Sequence, residues 1–193
     1  MLPKAGASEM EILDLTAEHA HAVEQIAALL VSEFGDTGSN AWRTIEAAAT
    51  EVTESLEPAR ISRFALAESG DVLGWIAGMP QYGGNVWELH PLVVRRAWRR
   101  QGIGRRLVSD FEKQVAIRGG CTVLLGTDDE NARTTLGGMD LYPNVLEKLR
   151  SVRNRGSHPF EFYLRVGYHV VGVIPDANGF GKPDILMAKR VRT

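Results

Sequence analysis

The chain has 193 residues, 44% of them hydrophobic, which suits one domain at about 150 residues each and a proper buried core. Twenty-two Lys and Arg stand against twenty-four Asp and Glu, a net charge of -2, which argues against a nucleic-acid binder because those carry a basic excess. The one cysteine, Cys121, excludes an internal disulfide framework and a Cys-rich zinc site.

Residues 1–9 lack the apolar centre of a signal peptide and read as a flexible N-terminal extension. No run of ~18 apolar residues offers a membrane span, so the location expected is cytoplasmic, away from membranes. Met10 to Leu15 reads as a first strand. Glu18 to Phe34 places Ala22, Ile26, Leu29, Leu30 and Phe34 on one side of a helix. The stretch 35–40 is a loop by composition. Trp42, Ile45, Ala49, Val52 and Leu56 mark a second helix, ended by Pro58. Arg60 to Glu68 and Val72 to Met79 form a hairpin across Ser69-Gly70-Asp71. Val86 to Val94 is the next strand.

A third helix runs from Gly102 to Ile117 and stops at Gly119-Gly120. Cys121 to Gly126 reads as an apolar strand buried on both faces, with Cys121 a small core residue. A helix is expected around Leu141 to Val152. Another follows Pro159, which fits a first helical turn, and covers Phe160 to Val166. Tyr168 to Ile174 and Asp184 to Val191 are the last strands. The order describes a mixed sheet covered by helices, one α+β domain over residues 10–193.

Two segments carry chemistry. Arg99-Arg100-Gln101-Gly102-Ile103-Gly104 lies between a strand and a helix. Glycines there bring backbone N–H groups close to a ligand, and the helix start adds positive potential, a geometry suited to pyrophosphate. Arg95, Arg96, Arg99, Arg100, Arg105 and Arg106 supply a local positive field that the overall charge conceals. A dinucleotide fold is disfavoured, because the third glycine is missing and the sheet is not a βαβ repeat. A P-loop is disfavoured for want of Gly-Lys-Ser or Gly-Lys-Thr. A plain strand–helix turn with a solvated basic face is the other reading.

The strand ahead, Trp87-Glu88-Leu89-His90-Pro91-Leu92-Val93-Val94, contains a proline. Proline cannot donate to a ladder and belongs at an edge or a bulge, and a bulge would free backbone groups for a ligand. Alternation places Glu88 and His90 on one face. A packed histidine is the ordinary alternative; the pairing with Glu88 and Pro91 favours a site. His19, His21, His90, His158 and His169 show no zinc-binding spacing, so no metal is implied.

These features resemble the GNAT superfamily of N-acetyltransferases, which bind acetyl-coenzyme A. Pro80-Gln81-Tyr82-Gly83, Trp87 through Val94, Leu125-Gly126-Thr127-Asp128-Asp129 and His158 through Tyr163 are similar to the aminoglycoside 6'-N-acetyltransferases within it. Gly167-Tyr168 and Lys182-Pro183-Asp184-Ile185 extend the likeness, which covers about Leu30 to Lys189. The cradle is common to the superfamily; the Trp-Glu-Leu-His-Pro and Gly-Thr-Asp-Asp segments are more specific. The resemblance implies a GNAT fold, with a mostly antiparallel sheet splayed at a central bulge and helices on both faces. It implies acetyl transfer to an aminoglycoside 6'-amine in a ternary complex, giving antibiotic resistance, and a homodimer.

By the same resemblance, the N–H groups of Gln101, Gly102, Ile103, Gly104 and Arg105 hold the coenzyme pyrophosphate, with Arg99 and Arg100 beside them. Val93 and Val94 pair with the pantetheine arm, and the Leu92 N–H polarises the acetyl carbonyl. An aminoglycoside amine is largely protonated near neutral pH, so a base is needed; Glu88 and His90 are the candidates. Glu88 could equally bind the cationic sugar. Tyr163 is implied as the proton donor to the leaving thiolate, although spacing alone makes it a helix residue packed on the sheet. Asp36, Asp128, Asp129 and Glu88 would line an anionic cleft, and Trp42 and Tyr82 would offer flat faces to sugar rings. Two other functions fit the sequence: acetylation of a polyamine or protein amine, and a non-catalytic acetyl-coenzyme A-binding module.

Overall fold

The computed structural model describes residues 10–34 and 42–192, so the loop at 35–40 and its Asp36 lie outside the described residues. The described chain divides into two compact units, residues 10–121 with Arg192 and residues 122–191.

In the first unit, β1 (Met10–Asp14), β2 (Ile61–Ala67), β3 (Val72–Gln81) and β4 (Val86–Val94) form an antiparallel sheet in that order. Three helices accompany it: α1 (Ala20–Phe34), α2 (Ile45–Glu54) and α3 (Ile103–Ile117). Thr44 caps α2, its hydroxyl accepting from the Ala47 N–H, as Ser and Thr favour at that position. Trp42 precedes that cap with φ 51, outside the helix its spacing predicted. It matched the helical pattern because it is buried in the same apolar cluster as Ala48 and Val52 of α2.

β3 shows period-two alternation between two covered faces. Trp75 and Ala77 join Ile26, Leu30 and Val52 in one buried cluster. Gly74 and Gly78 face α3. A Cβ on Gly78 would sit 2.4 Å from the Phe111 ring and 2.4 Å from the Glu88 carbonyl, so only glycine admits this helix-to-sheet approach. Arg63 of β2 adds a polar tie at 8% exposure. Its guanidinium reaches Asp110 of α3, Asp14 of β1 and the Ile12 carbonyl. Burial disfavours that charge, and the two carboxylates more than offset it.

The proline lies at a bulge, one of the two places that its missing donor allowed. Gly78 pairs with Leu89 and Ile76 with Leu92, so His90 and Pro91 together face the single residue Ala77. The extra residue inverts the side-chain alternation. Leu89 shares a side with Gly78 and α3, whereas Val93 sits beside Trp75 in the α1–α2 cluster.

In the second unit, β5 (Thr122–Asp128), β7 (Asp184–Arg190) and β6 (His169–Ile174) form an antiparallel sheet in that order, with α4 (Val145–Arg150) and α5 (Phe160–Arg165). β5 corrects two expectations. It is buried on one face, through Val123, Leu125 and Thr127, while Gly126 and Asp128 are exposed. Cys121 is exposed and precedes the strand. An apolar run does not separate a half-buried strand from a fully buried one. The Gly119-Gly120 turn leaves Cys121 outside the ladder, its N–H bonded to the Asn85 carbonyl.

Gly78→Ala should destabilise the fold by about 1–3 kcal/mol, the usual range for overpacking. Urea denaturation checks this; Gly78 is not among the positive-φ glycines, so the loss reads the Cβ clash with Phe111 and the Glu88 carbonyl.

Candidate active site

The cradle begins where β4 ends. After a single turn of 3-10 helix over 96–98, the chain passes through Arg100 (φ 62) and Gly102 (φ 85) before entering α3. Both are left-handed, a conformation natural to glycine and rare for arginine. The first helical hydrogen bond runs from the Arg106 N–H to the Gly102 carbonyl. The N–H groups of Ile103, Gly104 and Arg105 therefore have no partner within the helix. No side chain caps this end and its first turn carries no acid. A Cβ on Gly102 would meet nothing within 4 Å, and Arg100, Gln101 and Arg105 around it are exposed. The residues fit a pyrophosphate.

Three of the six arginines donate to backbone carbonyls of the protein itself. Arg95 donates to the Val72 carbonyl, Arg106 to that of Met10, and Arg99 to that of Val94. Arg99 also pairs with Glu33 at the end of α1. Its guanidinium is thus a strut of the cradle wall in this structure, where the sequence placed it beside the phosphates. Glu33 was missed by sequence reasoning. An acid in the last turn of a helix opposes the helix dipole, and that is the signal that marks it.

Glu88 and His90 share the α1–α2 side of the sheet ahead of the bulge. Glu88 is half-buried, pairs across the ladder with Met79, and accepts 3.1 Å from the Gln81 amide. His90 is exposed, with its ring 5.5 Å from that of Trp42. Trp42 corrects the expectation of an open face for sugars: it is 8% exposed. It is held between Phe34 and His90, with Nε1 donating to Glu51. Its site is a backing for the imidazole. Tyr82 is the exposed aromatic here, at 78%. Leu92 is the first residue to resume the ladder after the bulge, followed by Val93 and Val94.

In the second unit, Asp128 closes β5 and is exposed, its Oδ1 accepting from the Asn178 amide. Asp129 is fully buried. Its carboxylate accepts from the Arg133 N–H, the Thr134 N–H and the Thr134 hydroxyl, which leaves no oxygen facing a cationic ligand. Buried carboxylates take such partners because an unpaired charge there is costly. His158 is equally committed. Its Nδ1 accepts from the Phe160 N–H at the head of α5, so Nε2 carries the proton and donates 3.0 Å to the Asp128 carbonyl. Burial lowers its pKa, against the raising influence of that hydrogen bond and of Asp129. Tyr163 on α5 is buried, its ring edge-on to Phe162 and Tyr168, and burial raises its phenol well above the ordinary value. Among the described residues, no group of three or more His, Cys, Asp or Glu is placed to hold a metal.

His158 sets a pH dependence. Its folded pKa lies below its unfolded value near 6.5, so the unfolded chain binds the proton first as pH falls. Its contribution to stability is complete above pH ~6.5 and declines below it. His158→Gln should flatten that part of the stability profile between pH 7 and 5, measured by urea midpoints.

Comparison with known proteins agrees with this geometry. Residues 23–135 match the acetyltransferase (GNAT) family model. Three solved structures align over 94% of this chain and 97% of theirs. An aminoglycoside 6'-N-acetyltransferase complexed with coenzyme A is 41% identical, with a TM-score of 0.85. An aminoglycoside 6'-N-acetyltransferase from Enterococcus faecium is 42% identical at 0.83, and an aminoglycoside 6'-acetyltransferase type Ii is 37% identical at 0.70. A comparison with curated protein sequences returns no match. With a strand bulged at proline, an uncapped helix start ringed by arginines, and these matches along both units, the chain belongs to the acetyltransferase (GNAT) family.

Proposed function

We propose that this protein transfers the acetyl group of acetyl-coenzyme A directly to the 6'-amine of an aminoglycoside. The observation that carries the reading is the bulge at His90–Pro91. It places His90 at the bulge itself, between Glu88 on one side and the run Leu92–Val94 leading to the cradle on the other. The agreement with 6'-N-acetyltransferases at 37–42% identity supports the choice of acceptor.

In this reading the coenzyme pyrophosphate takes the N–H groups of Gln101 to Arg105, with Arg100 and Arg105 adding charge. The pantetheine arm pairs along Val93 and Val94. Glu88 or His90 takes a proton from the ammonium, directly or through water, and the freed amine attacks the thioester carbonyl. The Leu92 N–H receives the developing oxyanion. The C–S bond then breaks, the amine nitrogen loses its second proton to solvent water, and the thiolate is protonated. We assign that last proton to Tyr163, whose phenol is protonated at working pH; its burial on α5 disfavours the phenolate, so the proton must be replaced as it leaves. Asp128, oriented by Asn178, binds an ammonium group of the sugar, and exposed Tyr82 packs on a ring. Asp129 holds the loop that follows Asp128. A cytoplasmic homodimer, and a role in aminoglycoside resistance, belong to the same proposal.

Thiol release on adding kanamycin or tobramycin to protein and acetyl-coenzyme A tests the activity; no release with any aminoglycoside would end it. If a polyamine or a protein amine gave the higher kcat/KM, the acceptor would be reassigned, since specificity is a ratio of those values. Glu88→Gln and Tyr163→Phe should each lower kcat by on the order of 10²-fold, as loss of a proton-transfer group does. Coenzyme A binding, followed by calorimetry, should be unchanged in both.

A further inference from the structure

The cradle loop is held by a carboxylate that lies outside it. Glu33, in the last turn of α1, has a side chain only 7% exposed among some of the most basic residues of the protein. One oxygen accepts 2.8 Å from the backbone N–H of Arg96; the other pairs with the Arg99 guanidinium and lies 4.0 Å from Nε of Arg96. Arg99 in turn donates through Nε to the carbonyl of Val94. The chain of contacts thus runs from α1, through Glu33 and Arg99, to the last residue of β4. It grips the loop 95–99 from both its backbone and its side chains.

We propose that Glu33 is a positioning residue for coenzyme A, fixing the wall of the cradle so that the N–H groups of 101–105 are presented already oriented. This rests on the assignment of the cradle to coenzyme A given above. Two effects of Glu33 on the cradle have opposite signs. A carboxylate beside a phosphate site lowers the local positive potential, so by charge alone its removal would tighten binding of an anion. By position, its removal frees the Arg96 N–H and the Arg99 guanidinium. Arg100, held in a left-handed conformation just beyond, then has one anchor fewer, and a loop that must be ordered on binding costs affinity. The buried, bidentate geometry makes position the larger effect, because charge-assisted bonds of this kind are stronger than long-range field terms screened by solvent.

Three variants separate these effects. Glu33→Ala should raise both the KM for acetyl-coenzyme A and the calorimetric Kd for coenzyme A about tenfold, the loss of one charge-assisted hydrogen bond. The kcat and the aminoglycoside KM should stay within about twofold, since no reacting group is touched. Glu33→Gln should fall between, because its amide oxygen still accepts from the Arg96 N–H while the ion pair is gone. Arg99→Lys should weaken coenzyme A in the same direction, because a lysine does not reproduce the fork that bridges Glu33 and the Val94 carbonyl. An unchanged or lower Kd in Glu33→Ala would overturn the proposal in favour of a purely electrostatic role. A joint loss of kcat, both KM values and thermal stability would overturn it in favour of a general structural role. The calorimetric arm uses coenzyme A without acceptor, so it stands even if no aminoglycoside proves to be a substrate.

Discussion

Everything proposed for this protein depends on one extra residue in a strand. His90 and Pro91 oppose Ala77 alone, so the odd–even alternation of side chains between the two faces switches across them. Without that extra residue, Glu88 and Val93 would lie on opposite sides of the sheet. With it, the Glu88 carboxylate, the His90 imidazole and the run Leu92–Val94 come into succession on one stretch of β4. A proline at this point costs the ladder one donor, and the bulge is where that donor is not needed. The close approach of α3 over Gly78, opposite Leu89, brings the helix that ends the cradle against the same place.

The charge balance has a second layer. The arginines of the cradle create the positive field, yet Arg95, Arg99 and Arg106 also hold backbone carbonyls of β3, β4 and β1. Arginine suits both tasks, since its planar fork binds several acceptors while remaining charged. Glu33 engages Arg96 and Arg99, and on β2 Arg63 engages Asp110. The near-neutral sum therefore reflects basic struts with assigned partners, together with exposed acids such as Asp128.

Much of this was legible in the sequence, for local reasons. β4 runs over the residues its pattern indicated, because Val86 to Val94 has strand-forming residues and a proline whose placement physics restricts. The start of α3 follows from Gly102, whose left-handed conformation and lack of a side chain are written in the residue type. What was illegible depended on distant partners. Asp129 reads like Asp128 until Thr134 and the Arg133 N–H enclose it. Trp42 reads as an open aromatic until Phe34 and His90 flank it. Glu33 and Asn178 have no motif; only contacts across many residues give them a role. Cys121 reads as core until the glycine turn leaves it outside the ladder.

The most direct measurement of the account is the position of the acetyl group on the product. Two-dimensional NMR of kanamycin treated with the protein and acetyl-coenzyme A should show one new N-acetyl group, on the 6'-nitrogen. Acetylation at another nitrogen would contradict the placement of the acceptor, and acetyl label found on the protein in place of the sugar would contradict direct transfer.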